Sequence, residues 1–152
     1  MSPYPDRNPR LNPWRPDAFP EGASELASLH SDNDGVTVTL SFSTNAGDQR
    51  RKLFFSKPVW FAVCDEGQRT RFWMATNKTW DTSNTLSNVY LVADSPLIDW
   101  FIEEGGTFSR DDLDHFLIVT DVDCVDALMR RCLSLRDHDA GEAIINEPTI
   151  QA

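Results

Sequence analysis

Hydrophobic and polar residues alternate without exception along residues 36–43. Every second residue is apolar, and the residues between them are Thr or Ser. A period of two is typical of a β-strand with one buried face. Residues 45–48 have turn chemistry, so residues 50–55 are predicted to return as the second strand of a hairpin. The predicted buried face of the first strand carries Val36, Val38, Leu40 and Phe42.

A second pair of strands is predicted directly after this hairpin. Residues 59–64 form a continuous apolar run between Pro58 and the polar residues 65–67, which is typical of a strand covered on both faces. Residues 70–76 follow closely enough to pair with it as another hairpin. The first half of the chain therefore predicts a meander of about four antiparallel strands.

The pattern changes after residue 88, first to a short strand and then to a helical period. Residues 88–93 predict a short apolar strand, and Ser95 then has the position of a helix N-cap. Pro96 fits the first helical position because its missing N–H group would have no partner there. Gly105 can end the helix. The apolar residues between these boundaries recur at helical spacing and are Leu97, Ile98, Phe101 and Ile102.

Another strand and another helix are predicted next. Residues 114–119 predict a strand, and Thr120 is a candidate N-cap with Asp123 as its capping-box partner. The buried stripe of this second helix would consist of Val122, Val125, Leu128 and Met129. The predicted fold class is a single α+β domain, in which the antiparallel meander precedes a strand-helix-strand-helix unit with both helices on one face of the sheet. The two strands of that unit are expected to be parallel and joined by a right-handed crossover.

The two ends of the chain differ in composition from this domain. Six of the nine prolines lie within the first 20 residues, so residues 1–22 are predicted to form an extended or disordered arm. The arm either packs loosely on the domain or docks onto a partner. The domain is predicted over residues 23–140, and residues 141–152 are predicted to be a C-terminal tail.

The net charge of −10 is confined to residues 94–152, where fourteen acids face four bases. A concentrated negative field attracts a cationic partner and repels phosphates, so nucleic acid and anionic membrane surfaces are not expected partners. Three cysteines without C-x-x-C spacing predict reduced thiols in a cytoplasmic protein. The sequence has no apolar run that predicts a membrane span and no secretory signal.

Residues that could perform chemistry are sparse. Asp121, Asp123 and Asp126 fail the calcium-loop template, and no two histidines have zinc-ligand spacing, so no metal or cofactor is predicted. Cys64 and His115 would form a nucleophilic pair only if the ends of their strands met. The usual catalytic motifs are absent from the sequence, and no enzymatic activity is predicted.

Two groups of residues are candidates for partner contact. Trp80 and Asp81 lie in a polar segment, where a tryptophan serves either as an interface anchor or as a lid on the sheet. Five acids surround the link between the first predicted helix and the next strand and are expected to form one acidic edge. They are Glu103, Glu104, Asp111, Asp112 and Asp114.

The function predicted from these features is that of a small acidic binding protein that neutralises a basic protein partner. In size and acidity the chain is similar to bacterial immunity and inhibitor proteins, which act against toxins, although no motif is shared. One alternative is an enzyme or small-ligand-binding domain with an unrecognised site. Another is a structural or assembly subunit that uses the proline-rich arm.

Overall fold

The computed structural model describes residues 9–65, 88–105, 107–131 and 147–151. These residues form nine β-strands, the helix α1 (Pro96–Glu103) and 3-10 turns at Pro16–Ala18 and Arg110–Asp112. The strands are β1 (Arg10–Pro13), β2 (Ser24–Asp32), β3 (Gly35–Thr44), β4 (Gly47–Ser56), β5 (Trp60–Asp65), β6 (Val89–Ala93), β7 (Leu113–Val119), β8 (Asp123–Arg130) and β9 (Thr149–Gln151).

The described strands form two antiparallel sheets. The five-stranded sheet has the order β1-β6-β7-β8-β5, and the four-stranded sheet has the order β2-β3-β4-β9. The predicted α+β fold class is therefore wrong, because the described chain is mostly β-structure with a single α-helix. The predicted parallel crossover is also wrong. In the sequence β6 precedes α1 and β7 follows it, and the two strands pair antiparallel.

The main core lies between the two sheets. The inward faces of β3 and β4 pack against residues of β6, β7 and β8, so that apolar surface from both sheets is removed from water. The largest side chains buried to within 2% exposure in this core are Phe42, Phe55 and Phe116. The hairpin predicted from alternation is confirmed, and its four apolar residues, Val36, Val38, Leu40 and Phe42, are buried.

Part of the predicted N-terminal arm contributes to this core. β1 pairs with β6, and the two aromatic residues that follow it, Trp14 and Phe19, are each 7% exposed. The Trp14 ring meets Phe116 edge to face at 5.7 Å, and the Phe19 ring lies 6.4 Å from Phe42. Residues 10–19 are thus part of the sheet and core, and residues 1–8 lie outside the described part of the chain.

The predicted second helix is the strand β8. Residues 123–130 pair with β7 on one side and with β5 on the other. Both faces of β8 are covered, one by the four-stranded sheet and the other in part by α1, so its apolar residues have no strict alternation. A run that is apolar on both faces has the same appearance as a buried helical stripe, which explains the wrong prediction.

Thr120 does make the hydrogen bond expected of an N-cap, although no helix follows. Its Oγ1 accepts from the Asp123 backbone N–H at 3.0 Å and donates to the Asp123 carbonyl at 2.9 Å. The Thr120 N–H also donates to that carbonyl, at 2.9 Å. These bonds close the two-residue turn between β7 and β8. The hydrogen bond predicted for Thr120 is therefore present, but it stabilises a hairpin turn and not the start of a helix.

The strand predicted over residues 59–64 is β5, an outer strand of the described five-stranded sheet. It is only half-buried, and Val63 is 42% exposed, so it is not covered on both faces. Its predicted hairpin partner, residues 70–76, lies outside the described residues. No helix among the described residues is both long enough and apolar enough to cross a membrane.

Candidate functional site

The outer face of the five-stranded sheet carries α1. The sequence-predicted boundaries of this helix are confirmed: the Ser95 side chain accepts from the Ile98 N–H, Pro96 occupies the first turn, and Gly105 follows with φ 109°. The buried face of α1 packs on Leu113 and Leu128 of β7 and β8. The same outer face of β7 and β8 presents two polar side chains, His115 and Asp126.

His115, Asp126 and Ser95 form a continuous hydrogen-bonded chain. Ser95 Oγ lies 2.7 Å from His115 Nδ1, and His115 Nε2 lies 2.6 Å from Asp126 Oδ1. The exposed fractions are 1% for Ser95, 0% for His115 and 4% for Asp126. With the neutral Nε2–H tautomer, Ser95 donates to the ring, the ring donates to Asp126, and Ser95 accepts from the Ile98 N–H. This tautomer gives every one of these atoms a complementary partner.

This buried network connects the start of α1 to two central strands. A polar group removed from water is costly unless it is hydrogen bonded, and each of the three side chains meets that requirement here. The network therefore fixes where α1 begins on the sheet. A Ser-His-Asp sequence of hydrogen bonds is also the arrangement that activates serine nucleophiles.

A pocket of about 340 Å³ opens beside Ser95 at the start of α1. Four of its charged side chains are engaged in ion pairs. Arg131 contacts Asp114 at 2.9 Å, Arg110 contacts Asp99 at 3.4 Å, and Asp94 contacts Arg10 at 3.5 Å. The fifth charged side chain of the pocket, Asp111, is exposed and forms no ion pair with the described residues.

The C-terminal end of α1 has a different character. Trp100 is 38% exposed, and its ring meets Trp60 of β5 edge to face at 5.8 Å. Glu103 and Glu104 are exposed one turn later, and neither forms an ion pair within the described part of the chain. The last turn of α1 contains no basic residue. We call Trp100, Glu103 and Glu104 the helix-end surface.

No protein-family model matches this chain. Neither a curated protein nor a solved structure shows significant similarity to it.

The structure distinguishes among the five acids of the predicted acidic edge. Glu103, Glu104, Asp111 and Asp112 are all exposed to solvent. Asp112 differs from the other three because it accepts from the Ser109 N–H at 2.8 Å and from its hydroxyl at 3.0 Å, and the backbone hydrogen bond is the main reason why the pKa of Asp112 is lowered. Asp114 is held by Arg131.

The remaining candidate residues are Trp80, Asp81, Cys64 and His115. Trp80 and Asp81 lie outside the described residues. Cys64 is opposite Cys124, whereas the cross-strand row that contains His115 reaches β5 at Trp60, four residues and about 13 Å from Cys64. The two candidate nucleophilic residues are therefore not brought together. Among the described residues, no three His, Cys, Asp or Glu side chains are placed to hold a metal ion.

Sequence reasoning missed the Ser95-His115-Asp126 network. A single acid within the apolar residues 124–129 and a single histidine within residues 113–119 were the available signal, because buried ionisable side chains are usually paired. The helical interpretation of residues 121–131 concealed this signal, since it placed Asp126 outside the buried stripe.

Proposed function

We propose that this protein is an acidic binding protein that captures a basic protein partner through the helix-end surface, with Asp111 adding to the same negative field. An inhibitor of the immunity-protein kind, which neutralises a toxin with a cationic active site, is the functional class that fits these properties. The proposal depends on the surface chemistry of α1 and on the net charge of the chain.

The observation that carries the proposal is the position of Glu103 and Glu104 at the C-terminal end of α1. The helix dipole makes this end negative, so an acid here destabilises the helix by roughly 0.3–1 kcal/mol, whereas a Lys or Arg would stabilise it. No basic residue in the last turn compensates for them. These two acids therefore do not stabilise the helix, and a role in binding gives them a function at this position.

Apart from Asp111, the acids near α1 that are named below differ from this pair because they have structural partners. Asp99 and Asp114 pair with arginines, and Asp112 closes a capping box with Ser109. Exposed, uncompensated acids beside an exposed tryptophan suit a partner that carries positive charge. The charges accelerate encounter with a cationic partner, and the aromatic ring slows dissociation.

The test is a comparison of two triple variants that remove the same charge from different places. The site variant is Glu103→Gln, Glu104→Gln and Asp111→Asn. The control variant is Glu21→Gln, Glu25→Gln and Asp34→Asn, which are also exposed. The partner is first identified by affinity purification from the native source, and association rates are then measured by surface plasmon resonance at low and high salt.

The site variant is expected to associate about tenfold more slowly than the wild type at low salt, whereas the control variant changes the rate less than about twofold. Raising the salt concentration should reduce the difference because screening weakens the steering. Equal effects of the two variants, or association that does not depend on salt, would rule out this surface as the electrostatic site.

A second candidate function, ester hydrolysis, is favoured by one observation: Ser95 is hydrogen bonded to a His-Asp pair and lines the 340 Å³ pocket. Two features oppose it. Ser95 contacts Nδ1 rather than the Nε2 used in serine proteases, and the residue that follows it, Pro96, has no N–H group with which to stabilise an oxyanion.

Labelling with a fluorophosphonate probe decides between these roles of Ser95. A hydrolase would be modified at Ser95, as detected by peptide mass spectrometry, and Ser95→Ala would abolish the labelling. With the binding function proposed above, we expect no modification of Ser95 in the folded protein. Stoichiometric labelling of the wild type would contradict that expectation and favour the enzyme.

A further inference from the structure

The three residues of the helix-end surface share one face of α1. Glu103 and Glu104 follow Trp100 by three and four residues, the spacings at which helical side chains are neighbours. The helical turn between them is intact, since the Glu104 N–H donates to the Trp100 carbonyl at 3.0 Å. The helical spacing therefore places two glutamates next to Trp100 on this face.

Trp60 holds this indole in position. The two rings meet edge to face, with an interplanar angle of 67° and a centroid distance of 5.8 Å. Such contacts are favourable because the positive edge of one ring meets the negative face of the other. Trp100 is thereby restrained while 38% of its surface stays accessible. A side chain ordered before binding loses less entropy when a partner arrives.

An aromatic face flanked by carboxylates has the chemistry that recognises a guanidinium group. Arginine is planar and weakly hydrated, so it stacks on an indole, and its five N–H donors reach neighbouring carboxylates at the same time. The lysine ammonium is strongly hydrated and has no plane to stack. We propose that Trp100, Glu103 and Glu104 form a subsite for an arginine side chain of the protein partner.

This inference rests on the proposed capture of a basic protein, and it specifies which cationic side chain occupies the helix end. Charge complementarity selects the occupant. A nucleic-acid base also stacks on tryptophan, but the two glutamates repel the phosphates that accompany it. A purely apolar side chain would bury the glutamates without giving them a donor, which is costly.

The experiment compares two blocked peptides of equal charge, hexa-arginine and hexa-lysine. Binding is followed through the indole N–H resonance of Trp100 in the full chain, assigned with Trp100→Leu. We expect the arginine peptide to bind roughly fivefold more tightly than the lysine peptide and to shift the Trp100 resonance. Trp100→Leu should reduce this ratio to about one, whereas Trp100→Phe, which keeps an aromatic face, should retain a preference for arginine.

Two further variants serve as controls for the peptides. Val122→Ser alters an apolar residue that is 59% exposed in the β7–β8 turn and should leave both affinities unchanged. Glu103→Gln combined with Glu104→Gln should weaken the binding of both peptides. Circular dichroism verifies that each variant is folded.

The outcomes separate this inference from the proposed function. Equal affinity for the two peptides, with no effect of Trp100→Leu, would overturn the arginine subsite and leave the charge-dependent capture of a partner intact. Failure of the arginine peptide to bind, or to shift the Trp100 resonance, would also overturn the subsite. The proposed function itself is tested separately, by the association rates of the two triple variants with the purified partner.

Discussion

Replacing Asp126 with alanine is expected to destabilise the protein by about 1–3 kcal/mol, because the His115 ring would lose the acceptor of its Nε2–H while it stays fully buried. A buried polar group without its partner retains the full desolvation penalty. Urea denaturation followed by tryptophan fluorescence measures the change in the free energy of unfolding.

The matched control is Asp114→Ala, which removes an acid from the neighbouring strand β7. Asp114, whose side chain is 14% exposed, pairs with Arg131, whose side chain is 53% exposed, and an ion pair with one partner in water contributes about 1 kcal/mol or less. In the double variant Asp126→Ala and His115→Ala, the loss should be smaller than the sum of the two single losses, since the two residues act as one unit. Similar losses for Asp126→Ala and Asp114→Ala would show that the buried network contributes little to stability.

Replacing Gly35 with alanine is expected to destabilise the protein by about 3 kcal/mol or more. Gly35 has φ 152°, and a Cβ atom added there would lie 2.1 Å from the Phe55 carbonyl oxygen. That oxygen belongs to the β4 backbone, which pairs with β3 along its whole length, so it cannot move without opening the ladder. The strain of the backbone conformation adds to the clash. Thermal denaturation monitored by circular dichroism provides the measurement.

Gly47→Ala separates the two contributions. Gly47 also has a positive φ of 103°, but a Cβ atom there would have no neighbour within 4 Å. Gly47→Ala is expected to lower the free energy of unfolding by about 1–2 kcal/mol, from backbone strain alone. If Gly35→Ala cost no more than Gly47→Ala, the close contact with Phe55 would not limit this position.

Elements whose signals are local could be predicted from the sequence. The β3–β4 hairpin has a one-sided alternation and a turn between its strands, and α1 has Ser95, Pro96 and Gly105 at its boundaries. In both cases a few neighbouring residues determine the conformation. The surface acids at the end of α1 belong to the same class, because charged residues one after another are rarely buried.

β2 was missed for a physical reason. Its register with β3 shifts between Leu26 and Ser28, so Leu26 and Leu29 both pack on the core although they are three residues apart. A bulge of this kind breaks the period of two that marks a strand. The remaining signal for the hairpin was Asn33-Asp34, the two turn residues between the paired Asp32 and Gly35.

β8 could not be identified from residues near it in the sequence. The hydrogen bond from the Asp123 N–H to Thr120 Oγ1 is common to a helix N-cap and to this hairpin turn. The strand conformation is stabilised by pairing with β7 on one side and, on the other, with β5, whose residues lie about sixty positions earlier. For the same reason, the contact between His115 and Asp126 follows only once β7 and β8 are known to be neighbours.

The pairing of β9 with β4 has a consequence for how the chain folds during synthesis. Leu53 lies opposite Ile150, roughly a hundred residues further along the chain. β1 likewise pairs with a strand that is synthesised much later, β6. The ribosome releases β2, β3 and β4 long before β9 exists, so the edge of β4 awaits its last strand until residue 151 has emerged. A topology completed by such distant pairings folds slowly, because the entropy cost of closing a long loop comes before the stabilising contacts form.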